Sequence, residues 1–83
     1  MRAYDVRIEA VTADGETVRF IEFVVYPNRP ADASGAVSEA ERESVAVDQV
    51  WDRHPDYRSV EAKGSLASEP GSTVSRRFAN EWC

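Results

Sequence analysis

Residues Tyr4-Asp5-Val6-Arg7-Ile8-Glu9-Ala10 alternate apolar and polar with a period of two, the pattern of a half-buried β-strand. Asp14-Gly15 follows, a pair suited to a two-residue type I′ turn because both turn positions need positive φ. Residues Thr17 to Tyr26 are rich in β-branched and aromatic side chains and read as the return strand. A two-residue turn pairs Tyr4 with Val25, Val6 with Phe23 and Ile8 with Ile21 on the core face. It also sets Arg7 against Glu22 on the other face, an opposite-charge cross-strand pair. That second face then carries Val11 opposite Val18, together with Phe20, Val24 and Tyr26. A contiguous apolar group of this kind is expected to be covered by another element or to serve as a contact surface.

Pro27-Asn28-Arg29-Pro30 ends the hairpin, since proline neither donates to a ladder nor continues a helix, and a loop of crossover length runs to Gly35. Ser38-Glu39-Ala40-Glu41 then matches a capping box, with the Ser38 hydroxyl on the amide of Glu41. Glu39, Glu41 and Glu43 suit the positive end of the helix dipole, and Pro55 stops the helix around Arg53. Ala40, Ser44, Val47 and Trp51 recur at helical spacing with Val50 beside them, so Trp51 is expected to pack on the sheet. On the opposite side Glu41, Asp48 and Asp52 fall within about 40° of one another, with Val45 alongside.

Tyr57 to Leu66 reads as a third strand with Val60, Ala62, Gly64 and Leu66 on one face. Glu69-Pro70-Gly71-Ser72 signals a type II turn. In Thr73 to Cys83, Val74, Phe78 and Trp82 are spaced by four, which fits a helix face or alternate strand positions. A fourth strand there would let Phe78 cover Gly64. The expected architecture is one α+β domain over residues 1–83, an antiparallel sheet of three or four strands with one packed helix, ββαβ or ββαββ.

Composition sharpens this picture. Leu, Ile, Val and Phe supply 17 of 83 residues, which implies a thin core. The longest purely apolar run is Phe23-Val24-Val25-Tyr26, too short for a membrane span or a signal peptide. Cys83 is the single cysteine, so no disulfide framework is expected. Fifteen acids against ten bases give a net charge of −5. The segment from Asp32 to Asp56 accounts for all of it, with seven acids (Asp32, Glu39, Glu41, Glu43, Asp48, Asp52, Asp56) and two arginines. Such a chain is a poor binder of duplex nucleic acid and attracts a basic protein surface instead; the same charge also serves plain solubility. Nine arginines to one lysine, with abundant Ala and Val, point to a GC-rich coding sequence, bacterial or phage.

Dedicated chemistry is scarce. The four glycines are isolated and cradle no phosphate, and one His with one Cys cannot build a zinc site. His54, flanked by Asp52 and Asp56, suits the C-terminal carbonyls of a helix better than base catalysis. Asp48 and Asp52 lack the further oxygen donors a hard cation needs. Arg58, Lys63, Arg76 and Arg77 lie near Tyr57, Phe78 and Trp82, a combination that can bind single strands, but Glu61, Glu69 and Glu81 nearly cancel the charge. No catalytic residue, metal or cofactor is expected.

The succession of the Tyr4–Tyr26 hairpin, the acidic Ser38–Arg53 helix and the Tyr57–Leu66 strand resembles small phage-encoded host-interaction proteins of the anti-CRISPR kind. The likeness is one of architecture and charge and carries over no functional residue. It implies a non-enzymatic inhibitor in the cytoplasm of a bacterial host, occupying a basic, nucleic-acid-binding surface of a defence protein. The expected contact residues are Glu41, Asp48, Asp52 and Val45. The alternative is a homo-oligomeric module, a homodimer for instance, joined through Phe20, Val24, Tyr26 and Val18.

Overall fold

The computed structural model of the chain describes residues 2–28 and 36–67. In chain order these form β1 (Arg2–Val11), β2 (Thr17–Tyr26), α1 (Glu39–Arg53) and β3 (Ser59–Ala67). The strands make an open antiparallel sheet in the order β2-β1-β3, and α1 packs on one face of it, nearest β3. This is the ββαβ arrangement of an α+β fold. The expected turn at Glu69-Pro70-Gly71-Ser72, the strand or helix of Thr73 to Cys83, the contact of Phe78 with Gly64 and the loop through Gly35 lie outside the described residues. No helix among the described residues is long and apolar enough to cross a membrane.

The hairpin turn is longer by one residue than a type I′ turn. Gly15 N–H donates to the Thr12 carbonyl and Thr12 N–H donates to the Glu16 carbonyl, both at 2.9 Å. Ala13, Asp14 and Gly15 therefore form a three-residue loop in which Gly15, at φ 85°, takes the left-handed position. Asp-Gly suits this turn as well as the shorter one, since both need glycine at a positive φ. The extra residue shifts the register by one: Tyr4 faces Val24, Val6 faces Glu22 and Ile8 faces Phe20. Because side chains alternate across a strand, a one-residue shift exchanges the two faces of β2. Val18, Phe20, Val24 and Tyr26, expected as an alternative interface, thus line the core. Ile21, Phe23 and Val25, expected inside, turn outward, and Arg7 faces Ile21 rather than Glu22.

A second shift occurs in β3. Ile8 faces Ala62 but Val6 faces Ser65, so Lys63 and Gly64 together oppose Arg7 as a β-bulge. Gly64 sits at φ 126°, a conformation closed to ordinary side chains. Val60 and Ala62 keep their expected place against the core. Beyond the bulge the faces swap: Ser65 is buried and Leu66 lies beside Asp5 on the outer side.

The core consists of Val6, Ile8, Ala10 and Val24 from the sheet with Ala46 and Val50 from α1. Trp51 is only half-buried and stands outside this cluster, while Ala40 and Ser44 are exposed. The helix is therefore rotated by about one residue, roughly 100°, from the orientation its largest apolar side chain predicts. Ala46, fully buried, lets the helix backbone approach the sheet closely.

The bulge yields a clean test. A Cβ added at Gly64 meets no atom within 4 Å, so the cost of Gly64→Ala is conformational and not steric. It should lower the unfolding free energy by about 1–2 kcal/mol in urea titration. An unchanged midpoint and slope would show that residue 64 does not adopt this backbone state.

Candidate functional site

The orientation of α1 is set by polar anchors at both ends. Near its C-terminus, Arg53 grips Glu22 with two parallel bonds, Nη1 to Oε2 at 2.7 Å and Nη2 to Oε1 at 2.5 Å. Gln49, one turn earlier, donates its amide to Glu22 Oε2 at 2.7 Å and to the Phe23 carbonyl at 3.1 Å. Glu22 is 5% exposed on the core side of β2, where an unpaired carboxylate would be costly. Burial alone would push its carboxyl up, but the bonds from Arg53 and Gln49 and the positive charge of Arg53 outweigh this and hold it below the ordinary carboxylate range.

Near the N-terminus, Ser38 caps the helix by accepting from the Glu41 amide at 3.2 Å, the expected half of the capping box. Arg42 reaches the sheet: Nε donates to Ser65 Oγ at 2.5 Å, and the guanidinium carbon lies 4.5 Å from the Tyr4 ring centre. Its remaining nitrogens donate to the carbonyls of Val37 and Ser65, and the Tyr4 hydroxyl accepts from the Val37 amide. The bulge makes this anchor available, because it brings Ser65 to the inner face.

Both arginines of α1 are thereby drawn toward the sheet. The solvent side is left with carboxylates: Glu41, Asp48 and Asp52 are all exposed, as is Glu39 in the first turn. Three of the four expected contact residues, Glu41, Asp48 and Asp52, share this strip. Val45 does not join them, since it is half-buried and packs against the core. Glu43 is half-buried and lies nearly opposite this strip around the helix, its carboxyl raised by partial burial and by the neighbouring Glu39 carboxylate one turn away.

The second surface is the face of the sheet opposite α1. Phe23 and Val25 stand out on it at 52% and 40% exposure. Sequence reasoning placed them inside. The signal that could have warned of this was Glu22, which a one-residue-longer turn carries to the inner face within reach of Arg53. Charged side chains run beside the apolar ones, with Arg19 bonded to Glu9 at 3.2 Å and Lys63 to Glu61 at 2.9 Å.

His54 closes α1 through its backbone, donating to the Val50 carbonyl at 2.8 Å, while its ring stacks on Tyr57 at 4.4 Å. Among the described residues no group of three His, Cys, Asp or Glu side chains comes together as a metal site. Cys83, Arg76 and Arg77 lie outside the described residues. No protein-family model, no curated protein and no solved structure matches the chain.

The Glu22 anchor has a pH signature. Its contribution to stability is complete above the ordinary carboxylate range and disappears as pH falls through the lowered folded-state value. Glu22→Gln should cost about 1–3 kcal/mol in urea unfolding at neutral pH, because Arg53 loses its charged partner but is itself half-exposed. The gap between the two proteins should narrow in acid. A gap that is constant from neutral pH to pH about 3 would contradict the pairing.

Proposed function

We propose that the protein is a non-enzymatic binding protein that presents the outer strip of α1 to a basic surface of a partner protein. The observation that carries this reading is the segregation of charge within one helix. Of five acids and two arginines in α1, both arginines turn to the sheet, while Glu41, Asp48 and Asp52 line the side facing solvent. A row of carboxylates held on a rigid helix can compete with phosphates for Arg and Lys side chains, and its field speeds association with a basic partner. The natural target of such a strip is a protein whose basic surface binds nucleic acid. The likeness in architecture to small phage-encoded host-interaction proteins supports an inhibitor of a bacterial or phage-defence protein, acting in the bacterial cytoplasm.

The test is the double reversal Asp48→Lys, Asp52→Lys. Both positions are exposed and stand outside the core cluster, so cooperative unfolding should be retained. Bacterial proteins captured by the immobilised wild-type chain should be lost by the variant and released from the wild type by added nucleic acid. The difference should shrink as salt screens the charges. Equal capture by the two folded proteins would contradict the phosphate-mimic reading.

A further inference from the structure

We draw no further inference here: the strongest candidate, the apolar patch of Ile21, Phe23 and Val25 on the sheet face opposite α1, carries nothing because nothing in the structure shows what covers it.

Discussion

A carboxylate on the buried face of a strand must be paired, and the pairing of Glu22 with Arg53 and Gln49 governs how the rest of the molecule is arranged. Arg53 and Gln49 lie one turn apart on α1 and can reach Glu22 together only if that side of the helix faces β2. Their engagement turns Ala46 and Val50 onto the sheet and leaves Trp51 at the margin. Arg42 repeats the arrangement at the other end of α1, against Ser65 and the Tyr4 ring. Between these anchors the apolar contact is small, made largely by Val6, Ile8, Val24 and Val50. A chain poor in Leu and Ile thus fixes its helix with polar contacts flanking a thin core.

Both surfaces follow from this inner arrangement. Drawing the helix arginines inward strips the solvent side of α1 of positive charge. Bringing Glu22 inward sends its neighbours Ile21 and Phe23 outward. The acidic strip and the apolar sheet face are therefore two consequences of one register and one helix rotation.

Much of the fold was legible in the sequence. The turn and proline signals place β2 at its observed limits, Thr17–Tyr26, and α1 within one residue of them. The inward row of β1, Tyr4, Val6, Ile8 and Ala10, follows from simple alternation. The inward row of β2 did not follow, because β2 is apolar on both faces and Asp-Gly serves a three-residue loop as readily as a two-residue turn. Local pattern could not choose between these registers; a tertiary interaction, the helix arginine seeking a carboxylate, favours one of them. The same limit applies to β3, where Gly64 reads as a weak strand residue and in fact carries a bulge that exchanges Leu66 for Ser65. Of the expected contact residues, Glu41, Asp48 and Asp52 were legible because charge and helical spacing suffice to place them. Val45 was not, since its burial depends on the rotation of α1.

The register of the hairpin is the central claim, and nuclear Overhauser contacts between α-protons across β1 and β2 report it directly. The Thr12–Glu16 bond makes even-numbered pairs the hydrogen-bonded ones, so odd-numbered partners bring their α-carbons to about 4.5 Å. The account predicts strong cross-peaks joining Asp5 to Phe23 and Arg7 to Ile21. Cross-peaks joining Val6 to Phe23 and Ile8 to Ile21 instead would show a two-residue turn, return Glu22 to the outer face and contradict the account.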